Sequence, residues 1–181
     1  MKHSESGLTM IELLTGIAIL AILTALAIPG NAWLTSARLS SYSSQLSTSL
    51  AFAKSEALRL GTRVTVCRSA APTQSAPTCG GAGTWATGWI IFADNTHLTS
   101  NVAGTINTDD TVLKIGEPLS GVTVSTGNNY TAWVSFLPSG LSRGNGGLPG
   151  DTFTFCLPNK SGTSITVNPI GRIQTARMTC P

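Results

Sequence analysis

The N-terminal part of the chain is an almost unbroken apolar segment from Leu8 to Ile28, in which Glu12 is the only charged residue. A helix of this length reaches across a bilayer core of about 30 Å. Charged residues make up only 10% of the whole chain, well below the roughly 25% typical of soluble domains. The pattern therefore predicts a membrane-linked helix followed by a soluble body.

A second helical pattern follows the apolar segment. Its apolar residues recur at intervals of three and four, as in an amphipathic helix: Leu39, Tyr42, Leu46, Leu50, Ala53, Ala57 and Leu60. Gly61 comes directly after this stripe, where a left-handed C-cap favours a residue without Cβ. Because proline removes only one backbone hydrogen bond, we expect Pro29 to bend the helix rather than end it. The alternative is a separate soluble helix that begins after a break near Asn31.

From Thr62 onward the helical period gives way to short β-rich segments separated by Gly, Pro, Asn and Asp. The predicted strands are Arg63–Cys67, Trp89–Ala93, Thr111–Ile115, Val122–Ser125, Thr131–Leu137, Thr152–Leu157, Ser164–Val167 and Ile170–Thr179. Two stretches rich in small residues, Ser69–Gly83 and Gly140–Gly150, are predicted as flexible loops. The fold class is therefore α+β, with a long N-terminal helix packed on an antiparallel β-sheet.

All four cysteines follow the apolar segment. The chain has no Cys-X-X-Cys spacing, so a zinc knuckle or a dithiol redox motif has little support. An even number of cysteines after an export-type segment is typical of disulfides formed in an oxidising compartment. We favour pairing of Cys67 with Cys79 and of Cys156 with Cys180, although four cysteines allow three connectivities.

Glu12 is the most informative residue of the apolar segment. A charge inside the hydrocarbon layer costs roughly 2.5 kcal/mol or more, so the carboxylate needs a partner. The next cation along the chain is Arg38, far beyond Glu12. Cleavage after Gly7 would free an α-amine on Leu8, one helical turn from Glu12. In an assembly, that amine would meet the carboxylate of a neighbouring chain.

Two other interpretations of this segment are weighed against cleavage after Gly7. Ala25-Leu26-Ala27 resembles a signal-peptidase site, which would make the segment a secretory signal peptide. The apolar segment is longer than the usual ~7–15 residues of such a peptide, however. An ordinary single-pass anchor is the second alternative, and it leaves the carboxylate of Glu12 without a partner.

The residues around this cut, Gly7-Leu8-Thr9-Met10-Ile11-Glu12, resemble the class III leader junction of type IV pilins and type II secretion pseudopilins. The resemblance implies cleavage after Gly7 by a prepilin peptidase, N-methylation of Leu8 and a role for Glu12 in subunit docking. Leu8 departs from the commoner phenylalanine. The implied partners are other pilin or pseudopilin subunits and an inner-membrane assembly platform.

The same resemblance implies a division of the chain and a location. Residues 1–7 are a leader, 8–29 a transmembrane and filament-core helix, 30–61 its amphipathic continuation, and 62–181 a β-rich periplasmic domain. The precursor is then a single-pass protein of the inner membrane, which enters a filament on assembly.

Three later segments are similar to the GspH/FimT-type branch of these families. They are Gly88-Trp89-Ile90-Ile91-Phe92 with Asp94, Phe136-Leu137-Pro138-Ser139-Gly140, and Asn168-Pro169-Ile170-Gly171-Arg172. The resemblance implies a minor pilin of a type IV pilus, located near the filament tip. The alternative is a minor pseudopilin of the type II secretion system.

The sequence contains no recognisable catalytic constellation. After removal of the leader, His97 is the only histidine, and one histidine provides neither a triad nor a metal cluster. Asp109 and Asp110 are candidate calcium ligands, but adjacent acids in a turn are more often solvated. We therefore predict a non-enzymatic protein with no cofactor and no metal.

Charge in the C-terminal third is predominantly basic. From Leu119 onward Asp151 is the only acid, and the cations are Arg143, Lys160, Arg172 and Arg177. Such side chains can contact the phosphates of double-stranded DNA. Some FimT-like minor pilins bind DNA through a Gly-Arg-X-Arg tail, but Gln174 replaces the second arginine of that motif here. The alternative is that these charges serve only solubility.

Overall fold

The structure is a computed structural model that describes residues 9–27, 30–95, 104–157 and 161–180. Two helices, α1 (Met10–Ala27) and α2 (Gly30–Leu60), precede the strands. A short 3-10 helix, Trp85–Thr87, lies before the second strand. The strands are β1 (Arg63–Arg68), β2 (Trp89–Asp94), β3 (Thr111–Gly116), β4 (Thr123–Thr126), β5 (Trp133–Phe136), β6 (Ser142–Gly144), β7 (Asp151–Cys156), β8 (Ser161–Val167) and β9 (Ile173–Thr179).

The chain forms two compact units, Met1–Arg38 and Leu39–Pro181. In the second unit, the apolar stripe of α2 faces the core, and Leu46, Leu50 and Ala57 are fully buried. Gly61 ends the helix with a φ of 66°, and its N–H donates to the carbonyl of Ala57 at 3.1 Å. A side chain is strained in this left-handed conformation, which explains a glycine at the helix end.

The strands form two antiparallel sheets. Sheet 1 has the strand order β3-β2-β1-β5-β6, and sheet 2 has the order β4-β7-β8-β9. The chain leaves sheet 1 after β3, returns for β5 and β6, and completes sheet 2 with β7, β8 and β9. Alternating polarity predicts individual strands but not how they are partitioned, because partition depends on pairing between distant segments.

The main core lies among α2 and apolar faces of both sheets. Trp85 packs edge-on against Phe153 of β7, with ring centroids 4.9 Å apart. The indole N–H of Trp85 donates to the carbonyl of Tyr130 at 2.8 Å, and the buried Tyr130 hydroxyl donates to Ser142 Oγ at 3.0 Å. These contacts tie the loop before β5 to sheet 2 and to β6.

Both disulfides have the predicted pairing. Cys67 is bonded to Cys79, and Cys156 is bonded to Cys180. The first bond fastens the loop after β1 to the face of sheet 1 where Cys67 is buried with Ile90. The second bond joins β7 to the residue that follows β9. The predicted α+β fold with two disulfides is thus confirmed.

The predicted loop Gly140–Gly150 is wrong in part, because it contains β6. This strand pairs with β5, with Val134 opposite Gly144. Glycine disfavours strands, so local propensity did not indicate this one. The structure supplies the reason for the glycine: a Cβ at Gly144 would overlap the ring of Tyr130.

The last strand begins later than predicted, at Ile173 instead of Ile170. The preceding residues form a turn, in which the N–H of Gly171 donates to the carbonyl of Asn168 at 2.8 Å. Asn168 N–H in turn donates to the carbonyl of Arg172 at 3.0 Å. Glycine and proline in this segment are the residues that such a turn favours.

Candidate functional site

Helix α1 exposes large apolar side chains around its whole circumference. More than half of each side chain's surface is accessible at Met10, Ile11, Leu13, Leu14, Ile17, Ile19, Leu20, Ile22 and Leu23. A helix that is apolar on every face is normally covered by lipid or by other helices. The first unit therefore presents a surface that requires a partner.

Part of the predicted N-terminal site lies outside the described residues. The predicted cleavage and methylation positions, Gly7 and Leu8, fall there, as does Pro29 with its predicted bend. Within the described ranges, no helix combines the length and hydropathy needed to cross a bilayer.

Glu12 caps the start of α1. Its Oε2 accepts hydrogen bonds from Thr9 N–H and from Thr9 Oγ1, both at 3.0 Å. In return, the N–H of Glu12 lies 3.4 Å from Thr9 Oγ1. This reciprocal arrangement is a capping box, in which each side chain satisfies the backbone donor of the other. Thr9 supplies neutral donors to this carboxylate, a kind of partner that a search for cations alone does not find.

Three of the four cations that follow Leu119 lie within the described residues. All three are exposed, but they lie in different elements of the fold. Arg143 lies in β6 of sheet 1, and Arg177 lies in β9 of sheet 2. Arg172 belongs to the turn before β9, and Lys160 falls outside the described residues. No single sheet therefore carries all three.

Lys54 of α2 holds the turn that carries Arg172. Its Nζ donates to the carbonyls of Ile170 and Gly171 at 3.2 and 3.0 Å. A Cβ at Gly171 would overlap the carbonyl of Gly140, so two turns and the helix meet closely here. Sequence reasoning missed Lys54 because it lies more than a hundred positions from the turn.

Two further polar residues have structural roles that the sequence did not reveal. Asp94, almost fully buried, pairs with Arg63 at 2.9 Å across the β1–β2 ladder. Asp151 Oδ2 accepts hydrogen bonds from the backbone N–H groups of Asn129 and Tyr130, both at 2.9 Å. Neither contact is readable from local pattern, because each joins segments far apart in the chain.

Of the two candidate calcium ligands, Asp110 accepts hydrogen bonds from the backbone through both carboxylate oxygens. Asp110 Oδ1 accepts from Asn95 N–H at 2.9 Å, and Asp110 Oδ2 accepts from Asn107 N–H at 2.8 Å. Across the described ranges, His, Cys, Asp and Glu form no group of three or more that could hold a metal ion. His97 lies outside these ranges. The Asp110 carboxylate thus organises the turn before β3.

Two family models match the chain. A model described as the type II transport protein GspH matches residues 43–171, most of the chain. The chain belongs to the GspH family. A second model, the prokaryotic N-terminal methylation motif, matches residues 2–28. Together they confirm the predicted resemblance to GspH/FimT-type minor pilins and pseudopilins, whose members assemble with other such subunits.

Solved structures share the fold of this GspH-family chain. A crystal structure of the type IV minor pilin FimU of Pseudomonas aeruginosa strain PAO1 is 17% identical and has a TM-score of 0.56; the match covers 80% of this chain and 92% of FimU. A second FimU crystal form is 18% identical and has a TM-score of 0.54, covering 76% and 92%. Comparison with curated protein sequences finds no match.

Proposed function

We propose that this GspH-family chain is a structural, non-enzymatic minor pilin of a type IV pilus, assembled through its N-terminal helix. The observation that carries the proposal is α1, whose apolar side chains are exposed on every side and which begins with the Thr9–Glu12 cap. The match to the methylation motif supports processing at the same end of the chain. The shared fold with FimU favours the pilus over other assemblies.

In the proposed precursor, residues 8–29 anchor the chain in the inner membrane and the β-rich body lies in the periplasm. The two disulfides suit that oxidising compartment. A prepilin peptidase removes residues 1–7, and Leu8 is methylated. The assembly platform then moves the helix from lipid into the filament, where the amine of Leu8 faces the carboxylate of Glu12 on a neighbouring subunit.

Two substitutions at Glu12 separate its capping role from its charge. Glutamine also serves at this position of a capping box, so Glu12→Gln keeps the helix cap while removing the charge. We expect Glu12→Gln and Glu12→Ala to insert in the membrane normally but to be absent from sheared filaments, as measured by immunoblotting. Thr9→Ala, which removes the capping hydroxyl and keeps the charge, is the matched control. Normal incorporation of Glu12→Gln would refute charge pairing.

Mass spectrometry of the mature N-terminus tests the processing step directly. The expected product begins at a methylated Leu8. A product that begins at Ile28 would show cleavage by the general signal peptidase, and it would discard Glu12 with the leader. In that case α1 would have no part in a filament.

A second candidate function is that of a minor pseudopilin in the type II secretion system. It is favoured by the description of the matching family model, the type II transport protein GspH. Deletion of the gene separates the two functions when twitching and protein secretion are both scored. A defect in secretion alone would favour the pseudopilin.

We also propose that the chain binds DNA at the filament tip. This proposal rests on the exposed arginines of the C-terminal region. We expect affinity of the body for duplex DNA to fall as salt rises. Because each phosphate contact contributes about 0.9 to the slope of log affinity against log salt, Arg172→Ala and Arg177→Ala should each lower that slope by about one. Arg59→Ala, at an exposed arginine paired with Glu56, is the matched control. Affinity that ignores salt and both substitutions would exclude this surface.

A further inference from the structure

The turn of residues 168–172, called the Arg172 turn below, connects β8 to β9 and fixes the backbone of Arg172. The N–H of Arg172 donates to Asn168 Oδ1 at 2.7 Å, and its carbonyl accepts from the N–H of Asn168 at 3.0 Å. The N–H of Gly171 closes the turn by donating to the carbonyl of Asn168 at 2.8 Å. The backbone of Arg172 is therefore held on both sides, while the residue itself is exposed.

Sheet 1 also fastens the Arg172 turn, through Ser142 of β6. The N–H of Ser142 donates to the carbonyl of Pro169 at 3.0 Å, and its hydroxyl donates to the carbonyl of Asn168 at 2.8 Å. Ser142 is fully buried, and its Oγ accepts from the hydroxyl of Tyr130. Because the turn is bound to both sheets, Arg172 is placed relative to the whole body and not to β9 alone.

Helix α2 supplies the third attachment, through Lys54. Its Nζ donates to the carbonyls of Ile170 and Gly171 at 3.2 and 3.0 Å, which are the two carbonyls directly before Arg172. The other three carbonyls of the turn accept the hydrogen bonds described above, so Lys54 binds the two that remain. One ammonium thus completes the hydrogen bonding of the turn.

The side chain of Lys54 is packed against the turns that it joins. A Cβ at Gly171 would lie 3.3 Å from both Cε and Nζ of the lysine, and a Cβ at Gly140 would lie 3.5 Å from Cε. The preceding residue, Ala53, is fully buried, so this part of α2 lies at the core. The ammonium is therefore directed into the turn, whereas the side chain of Arg172 remains available to a ligand.

A fixed turn matters for an arginine that binds phosphate. Binding costs less free energy when the interacting group already has its bound position, since less freedom is lost in the complex. The planar guanidinium also makes directional, paired hydrogen bonds, so its placement affects the contact more than that of a point charge. Without Lys54, the turn would keep its attachments to the sheets but lose the one to α2.

From these contacts, we infer that Lys54 is a positioning residue for DNA binding by Arg172. It acts through the Arg172 turn and does not contact phosphate itself, because its ammonium is bound to the carbonyls of Ile170 and Gly171. The inference rests on the proposed function, since it concerns the same DNA-binding arginine. Arg177 lies within β9, outside the turn, so its contribution is independent of Lys54.

A double-mutant cycle with duplex DNA tests the inference. The full chain is purified in an uncharged detergent, and its affinity for a fluorescent duplex is measured by anisotropy over a series of salt concentrations. Lys54→Met keeps an unbranched side chain and removes the ammonium. We expect it to lower the slope of log affinity against log salt by up to about one, because a misplaced Arg172 no longer neutralises its phosphate. In the Arg172→Ala background, Lys54→Met should change neither slope nor affinity further.

Two comparisons make the cycle specific. The coupling of Lys54→Met to Arg172→Ala should be at least about twofold in affinity, the lower end for residues that share a contact network. Combined with Arg177→Ala, Lys54→Met should have the same effect as in the unaltered chain. Lys114→Met is the matched control, because it removes the same charge from an exposed lysine of β3; it should change the affinity less than Lys54→Met does.

The other outcomes each overturn the inference. A further fall in slope of about 0.9 in the Arg172→Ala background would show that Lys54 contacts phosphate itself. Equal losses in the Arg172→Ala and Arg177→Ala backgrounds would show a general defect of the body. Unchanged binding by Lys54→Met would show that the sheets alone position Arg172. If the unaltered chain shows no salt-dependent binding, the proposed DNA binding is refuted as well, which distinguishes that failure from the others.

Discussion

Asp151 provides the sharpest test of how the body is held together. In the sequence, Asp151 is the only acid from Leu119 onward. In the structure, its carboxylate accepts hydrogen bonds from three backbone N–H groups. Asn129 and Tyr130 donate to Oδ2, both at 2.9 Å, and Thr152 donates to Oδ1 at 2.8 Å. A Cβ at Gly127 would overlap this carboxylate, so the loop before β5 closes directly onto it.

The expected cost follows from the number of bonds lost. A hydrogen bond to a charged group contributes about 1.5–3 kcal/mol, and the partial exposure of Asp151 favours the lower value. Asp151→Asn must turn its amide nitrogen toward at least one N–H donor, so we expect it to lower the free energy of unfolding by about 2 kcal/mol. Asp151→Ala leaves all three donors without their acceptor, and we expect a loss of about 4 kcal/mol.

Urea unfolding of the unit Leu39–Pro181 measures both losses. Asp109→Asn and Asp109→Ala are the matched controls, because Asp109 is an exposed acid in a turn. Surface substitutions of that kind change stability by less than about 0.5 kcal/mol. If Asp151→Ala is no more destabilising than Asp109→Ala, the three N–H contacts do not hold the loop and the reasoning is refuted.

Two further predictions concern the same unit. The double variant Cys156→Ala/Cys180→Ala should lose about 3.5 kcal/mol in urea unfolding, the chain-entropy value for a loop of this size; a loss below about 1 kcal/mol would contradict that account. Burial raises the pKa of Tyr130 above its ordinary value of 10.0, so the folded state keeps the phenol neutral after the unfolded chain begins to ionise. Stability from this group is therefore complete below about pH 10 and is lost as pH rises further. In alkaline unfolding curves, Tyr130→Phe should flatten this fall, and an unchanged slope would show that the hydroxyl does not contribute.

Local pattern was sufficient for the secondary elements with regular periods. The stripe from Leu39 to Ala57 predicted the buried face of α2, since every third or fourth residue must pack on the core. Strands such as β1 and β2 combine β-branched and aromatic residues with clear boundaries, and they were found close to their predicted limits. The cysteine pairing also followed from proximity in the chain.

The sequence could not reveal contacts that depend on distant partners. Strand β6 exists because β5 offers it a pairing edge, whereas its own glycine argues against a strand. The bond from Lys54 to the turn before β9 and the amide cluster on Asp151 each join separate elements. The Thr9–Glu12 cap is the exception, because Thr-X-X-Glu is a local signature that could have been recognised from the sequence.

The two units differ in how far they need a partner to cover their apolar surface. This difference indicates which residues determine the choice of neighbouring subunits. The body is self-contained, with a buried core, two disulfides and the paired Arg63–Asp94. Helix α1 has apolar side chains in every direction, and in the proposed assembly its transfer from lipid to packed helices changes the burial of apolar surface little. Apolar burial therefore cannot determine which subunits join or in what register. Directional groups must do so, which is why Glu12 should be sensitive to substitution while exchanges such as Ile17→Leu in α1 should be tolerated.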